Sequence, residues 1–164
     1  MTHLRYPAAI RRHWWKRAAA PPPQFWSGIQ LDLTGALLID LDFRDCRVND
    51  VSFRGATFSG TAMFGGTTFT GNTLFDGAAF EGRVSFRKAA FSGKTMFNGA
   101  IFSSDAVFEG ITITARATFD GAAFGGSAWF AASAFRDPVS FQKTTFHDLA
   151  LFEKAAFSSG AVFD

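Results

Sequence analysis

Few side chains of this 164-residue chain could act in catalysis. The histidines are His3, His13 and His147, and the single cysteine is Cys46. His147 precedes Asp148, a pair that could supply a base with its orienting carboxylate. The alternative, which we favour, is a solvent-exposed corner of the repeat described below. Cys46 lies at a small inward position of that repeat, so packing explains it better than a role as nucleophile.

The spacing of the remaining reactive groups matches no familiar site. No His, Cys and carboxylate cluster has metal-ligand spacing, and a lone cysteine excludes an intrachain disulfide and an all-cysteine zinc site. The glycine pairs Gly65–Gly66 and Gly125–Gly126 lie at corners of the repeat and do not form a phosphate loop. We therefore predict a protein that is not an enzyme and that uses no cofactor and no metal.

Outward-pointing side chains are the remaining candidates for function. Four apolar residues separated by multiples of 22 would share one side of the molecule: Met63, Val107, Trp129 and Leu151. An apolar strip of this kind can mark a site for a protein partner. The alternative is that these residues cover one another between neighbouring coils.

Residues 1–30 form a basic leader outside the repeat. It has no acidic residue and five basic ones: Arg5, Arg11, Arg12, Lys16 and Arg17. The composition of residues 8–20 suits a helix, and Pro21–Pro23 should end it as an extended connector. One interpretation is a cap on the first coil. The other is a basic helix that contacts anionic lipid or nucleic acid, through the candidates Arg11, Arg12, Trp14, Lys16 and Arg17.

The element that must position the outward residues is a ladder of phenylalanines from Phe53 to Phe163. Its steps alternate five and six residues without a break, and Ile113 is its one substitution. Of the 22 Phe residues in the chain, only Phe25 lies off this lattice and its upstream extension. Two residues before the ladder position the side chain is usually small, chiefly Ala with Thr or Val elsewhere, and two residues after it glycine recurs.

This pattern predicts a coil of stacked parallel strands. Residues two apart point to the same side of an extended segment, so the ladder residue and its small neighbour both face inward. Glycine two residues later allows a turn with positive φ. Strands and corners repeated this closely build a solenoid in which each turn covers its neighbour. Frequent glycine and β-branched residues oppose a helical reading.

The frames LDLTG, LDFRD and ATFSG resemble the pentapeptide-repeat family, over about residues 31–164. The resemblance implies an all-β fold, a right-handed quadrilateral parallel β-helix, with residues 1–30 as a short helical or extended cap. The chain departs from the family pattern in two ways. Asp precedes the ladder residue only at Asp32 and Asp42, and the alternating spacing resembles a Phe-rich variant. Four sides per coil give about six coils and a partial one.

Three functions follow as hypotheses. The first is a non-catalytic scaffold whose outer faces bind an unknown protein partner. The second, implied by resemblance to quinolone-resistance pentapeptide proteins, is a DNA mimic that protects a type II topoisomerase. Those rods are strongly acidic and usually dimerise through a C-terminal helix, whereas residues 31–164 carry a net charge of only −3. The third is a membrane-peripheral protein recruited by its leader.

The sequence also suggests where the protein acts and what it contacts. No apolar run is long enough to span a membrane, and the N-terminus lacks the apolar region of a secretory signal. We expect a soluble, cytoplasmic protein. An open last coil predicts a homodimer through the C-terminal end, nucleic acid is not an expected partner, and membrane contact is the less favoured alternative.

Overall fold

The computed structural model describes residues 30–164, and in this part of the chain every strand pairing is parallel and no helix occurs. The strands are two or three residues long. They are this short because a corner follows every five or six residues. The helix predicted for residues 8–20, the connector Pro21–Pro23 and the predicted cap lie outside the described residues.

The strands follow one another coil by coil. The first coil holds β1 (Leu31–Asp32), β2 (Leu37–Ile39) and β3 (Arg47–Val48). The second holds β4 (Val51–Ser52), β5 (Thr57–Ser59), β6 (Ala62–Met63) and β7 (Thr68–Phe69). The third holds β8 (Thr73–Leu74), β9 (Ala79–Phe80), β10 (Val84–Ser85) and β11 (Ala90–Phe91). The fourth holds β12 (Thr95–Met96), β13 (Ile101–Phe102), β14 (Ala106–Val107) and β15 (Thr112–Ile113).

The same order continues to the end of the chain. The fifth coil holds β16 (Ala117–Thr118), β17 (Ala123–Phe124), β18 (Ala128–Trp129) and β19 (Ala134–Phe135). The sixth holds β20 (Val139–Phe141), β21 (Thr145–Phe146), β22 (Ala150–Leu151) and β23 (Ala156–Phe157), and β24 (Ala161–Phe163) begins a further turn. The structure thus has about six coils, as the repeat predicted.

Stacking of the coils produces four parallel sheets, which we name faces 1 to 4 in their order around a coil. Face 1 has seven strands (β1, β4, β8, β12, β16, β20, β24), and face 2 has six (β2, β5, β9, β13, β17, β21). Face 3 has five (β6, β10, β14, β18, β22), and face 4 has six (β3, β7, β11, β15, β19, β23). The predicted quadrilateral parallel β-helix is therefore confirmed.

The core is the phenylalanine ladder, wound into columns of stacked rings. Within a column, ring centroids of neighbouring coils lie 4.4–5.1 Å apart with nearly parallel planes. Columns of opposite faces meet edge to face, as between Phe97 on face 1 and Phe108 on face 3, whose centroids lie 5.6 Å apart. Offset stacking and edge-to-face contact are the two favourable geometries of aromatic pairs. The small inward residues, such as Ala78 and Ala100, are fully buried between the rings.

The corners are of two kinds, which corrects one expectation from the sequence. Glycine two residues after a ladder position was expected to turn with positive φ throughout. This holds after faces 1 and 3, for example at Gly110 (φ 67°), where non-glycine residues such as Ala132 (φ 55°) take the same conformation. After faces 2 and 4 most glycines have ordinary φ, and close approach of the neighbouring coil requires them. A Cβ on Gly126 would lie 2.6 Å from the carbonyl carbon of Ser104.

Candidate interaction surface

The apolar strip predicted from the sequence lies on face 3. Strand register aligns Met63, Ser85, Val107, Trp129 and Leu151 as outward residues of five successive coils. The predicted alignment is therefore confirmed. Exposure along the strip is uneven, since Val107 is 7 % exposed, Met63 and Leu151 are half-buried and Trp129 is 39 % exposed. Val107 is thus covered, and Trp129 is the most exposed residue of the strip.

Trp129 has small residues on either side of it along its own strand. Ser127 and Ala131, two positions away on the same side of the extended chain, are both small. The next coil places Leu151 in register with Trp129, and the backbone N–H of Ala128 donates to the carbonyl of Leu149 at 2.8 Å. Leu149 is 51 % exposed. We call Trp129, Leu149 and Leu151 the tryptophan patch, an apolar surface with one large aromatic side chain at its centre.

Carboxylates border the tryptophan patch. Asp105 accepts a hydrogen bond from the backbone N–H of Ser127 at 3.2 Å, and Asp148 accepts one from the Ser127 hydroxyl at 2.9 Å. Glu109 in the coil below pairs with Arg87 at 3.2 Å. Asp148 is next to Leu149 in the chain, and Asp105 is bonded to the residue two before Trp129, so carboxylates flank the apolar residues as in the polar rim of protein interfaces.

The opposite side of the rod carries a polar ladder. Arg54 Nε lies 3.1 Å from Asp76 Oδ2, and the Asn98 amide donates to Asp76 Oδ1 at 2.9 Å. The backbone N–H of Asp120 donates to Asn98 Oδ1 at 3.2 Å. Each side chain is thus satisfied by a neighbouring coil, and these bonds strengthen the stacking of coils. Exposed pairs of this kind contribute roughly 0–1 kcal/mol each.

The residues considered for catalysis are not assembled into a site. His147 and Asp148 are both exposed at a corner of the sixth coil. Cys46 is half-buried, and its thiol donates to the carbonyl of Arg44 at 3.6 Å. Burial raises the pKa of the Cys46 thiol, and the charges of Asp42 and Asp45 raise it further. A raised pKa lowers the thiolate fraction at neutral pH, which is opposite to what a nucleophile needs.

No group of His, Cys, Asp and Glu within residues 30–164 has a metal-binding arrangement. The same residues include no helix of the length and hydropathy needed to cross a membrane. The predicted contact residues of the leader, Arg11, Arg12, Trp14, Lys16 and Arg17, lie outside the described part of the chain.

Sequence reasoning missed one member of the tryptophan patch. Leu149 occupies the position of the extra residue in a six-residue step, where the other nine such residues are polar, charged, glycine or proline. That exception was a usable signal. Leu37 and Ile39 on face 2 were missed as well. They flank the inward Leu38 and are 41 % and 46 % exposed.

The fold and its periodicity define the class of protein: a β-solenoid repeat protein whose surface columns are set by a 22-residue coil. The family profile described as pentapeptide repeats (9 copies) matches residues 33–79 and 75–123. These segments cover more than half of the chain, and the chain belongs to the pentapeptide-repeat family. A comparison with curated proteins matched none. Membership in this family is consistent with a non-catalytic repeat protein.

Proposed function

We propose that the protein is a non-catalytic, rod-like scaffold that binds a protein partner through face 3. The observation that carries this proposal is the tryptophan patch. Trp129 is 39 % exposed beside Leu149, which is 51 % exposed. Tryptophan is enriched among the residues that dominate binding energy in protein interfaces. A rod of stacked coils supplies the rigid support that such an anchor needs.

The mode of binding follows from the hydrogen bonding of the sheet. Strand β18 is paired on both sides, with β14 and β22. The backbone of this region therefore has no open edge to which a partner strand could add. A partner would contact side chains on the sheet surface, with Trp129 inserted into an apolar pocket of the partner.

The test compares three proteins as bait in quantitative affinity purification: wild type, Trp129→Asp and Ile101→Asp. Ile101 is a matched control because it is 51 % exposed but lies on face 2. We expect a partner that wild type and Ile101→Asp retain and that Trp129→Asp loses by about tenfold or more, as for a residue dominating an interface. Circular dichroism checks that all three baits are folded. A partner set that is identical for Trp129→Asp and wild type would contradict the proposal.

Charge gives little support to the DNA-mimic alternative. Residues 51–164 carry nine basic and nine acidic residues, and the net −3 of the repeat comes from residues 31–50. A DNA mimic requires a strongly acidic surface along the rod. Failure of the protein to protect or inhibit a type II topoisomerase would remove the DNA-mimic alternative. Binding to anionic vesicles that is absent or independent of salt would remove membrane recruitment through the leader. Pairing with a second copy through the C-terminal coil stays a prediction, tested by light scattering.

A further inference from the structure

The first coil differs from the rest of the rod in charge, and it exposes two neighbouring apolar side chains. Residues 31–50 contain five aspartates and two arginines, whereas residues 51–164 are balanced. Leu37 and Ile39, at neighbouring outward positions on β2, are 41 % and 46 % exposed. Leu31 and Leu33 pack against the core but are only half-buried. The first coil therefore combines uncovered apolar surface with the whole net negative charge of the rod.

Next to this coil in sequence lies a segment with the complementary properties. Residues 1–29 contain five basic residues and no acid, together with Trp14, Trp15, Phe25, Trp26 and Ile29. A solenoid needs a cap where its first coil exposes apolar surface. Because the first coil is acidic and this segment is basic, charge favours this segment as the one that covers the coil.

We propose that residues 1–29 dock on the first coil as an electrostatically held cap. Their apolar and aromatic side chains cover the surface around Leu31, Leu33, Leu37 and Ile39, and Arg11, Arg12, Lys16 and Arg17 lie beside the aspartates. The leader is then held by this chain itself. Its basic residues then pair with aspartates of the same chain and are not available to an anionic membrane or to nucleic acid.

Chymotryptic cleavage after Trp14 or Trp15 in the full-length protein tests the docking, because a docked segment is cut slowly. Cleavage is followed by intact mass. The first variant is Asp40→Asn/Asp45→Asn/Asp50→Asn. It removes charge but keeps side-chain acceptors, since Asp40 and Asp50 accept backbone hydrogen bonds from Thr61 at 3.1 Å and Asn72 at 2.7 Å. Neutralising three charges should raise the cleavage rate about tenfold at low salt.

The matched control neutralises three aspartates of distant coils: Asp105→Asn/Asp120→Asn/Asp148→Asn. Asp105 and Asp120 accept the same kind of backbone bond, from Ser127 at 3.2 Å and Gln142 at 3.0 Å. We expect this control to be cleaved at the wild-type rate. Raising the salt from about 20 mM to about 0.5 M shortens the Debye length severalfold, so it should bring wild type close to the first variant.

A variant of the leader, Arg11→Gln/Arg12→Gln/Lys16→Gln, completes a double-mutant cycle with the first-coil variant. If the two sets of charges contact each other, the combined protein is cleaved no faster than either variant alone, because one contact can be lost only once. Rates that multiply in the combined protein, or a control triple that is cleaved as fast as the first-coil triple, would overturn the proposal.

The apolar part of the contact has its own pair of variants. Leu37 and Ile101 lie in one outward column of face 2, and Thr57 and Ala79 lie between them in that column. Leu37→Thr should raise the cleavage rate at both low and high salt, whereas Ile101→Thr should leave it unchanged. Equal rates for Leu37→Thr and wild type would show that the apolar surface of the first coil is not covered by the leader. None of these readouts depends on a partner for the tryptophan patch.

Discussion

Phe108→Ala tests whether the ring columns hold the rod together. Phe108 is fully buried on face 3, and its ring stacks on Phe86 at 5.0 Å and on Phe130 at 4.7 Å. It also meets the edges of Phe97 and Phe119, each at 5.6 Å. The substitution removes a ring from the centre of both a column and a cross-rod contact.

The expected loss of stability has two parts: the transfer free energy of the ring atoms that are removed, and the cost of the cavity they leave behind. Truncating a buried Phe to Ala costs about 3–5 kcal/mol in the free energy of unfolding. We expect the upper half of that range, because the rings above and below are fixed by their own strands and cannot collapse into the gap. Phe108→Leu keeps most of the apolar volume and should cost about 1–2 kcal/mol.

Equilibrium unfolding in guanidinium chloride, followed by circular dichroism, measures these changes. Phe163→Ala is the matched control, because Phe163 continues a ring column but is 53 % exposed. Its cost should stay below about 1 kcal/mol, in line with loss of a half-exposed side chain. An unchanged slope of the free energy of unfolding against denaturant concentration shows that the variants unfold as wild type does. A cost for Phe108→Ala below about 1 kcal/mol, or equal to that of Phe163→Ala, would refute the ring-column explanation of stability.

Two further predictions concern the corners and the half-buried thiol of Cys46. Gly126→Ala should destabilise the protein by more than about 2 kcal/mol, because its Cβ would meet backbone atoms of the neighbouring coil. Gly110→Ala should cost about 1 kcal/mol, because only its positive φ is unfavourable. Denaturant unfolding measures both costs, and equal costs would contradict the existence of two kinds of corner. The raised pKa of Cys46 means that the folded state keeps the thiol proton at a pH where the unfolded chain has lost it. The free energy of unfolding should therefore fall as pH rises above about 8.5, by more in wild type than in Cys46→Ala, and identical pH profiles would contradict it.

The architecture was predictable because the Phe lattice is unbroken. Steps of five and six assign every ladder residue to a face, so the opposition of Phe97 and Phe108 and the alignment of Val107 with Trp129 followed from counting. The positive-φ corners after faces 1 and 3 are the five-residue steps, so step length separates the two kinds of corner. The presence of glycine did not separate them, because Lys88 and Ala132 take positive φ whereas Gly126 does not.

The candidate surface was only partly predictable for a related reason. Periodicity places a side chain on the outside but does not say how much of it the next coil covers. Val107 and Trp129 occupy the same column and differ from 7 % to 39 % in exposure. Val107 is in register with Ser85 and Trp129, whereas the larger Trp129 is in register with Val107 and Leu151. These outward residues vary from coil to coil while the inward positions repeat.

The constant register of the strands makes the coil a unit of length. From Val51 onward each strand residue pairs with the residue 22 positions later, as Val51 pairs with Thr73 and Thr73 with Thr95. Adding or removing one such unit would leave all four ring columns continuous and move the downstream surface by about 4.8 Å along the axis. Gene segments of 66 base pairs (about 22 codons) could therefore be duplicated or lost while the fold persists. The distance between the first coil and the tryptophan patch is thus open to change in steps of one coil.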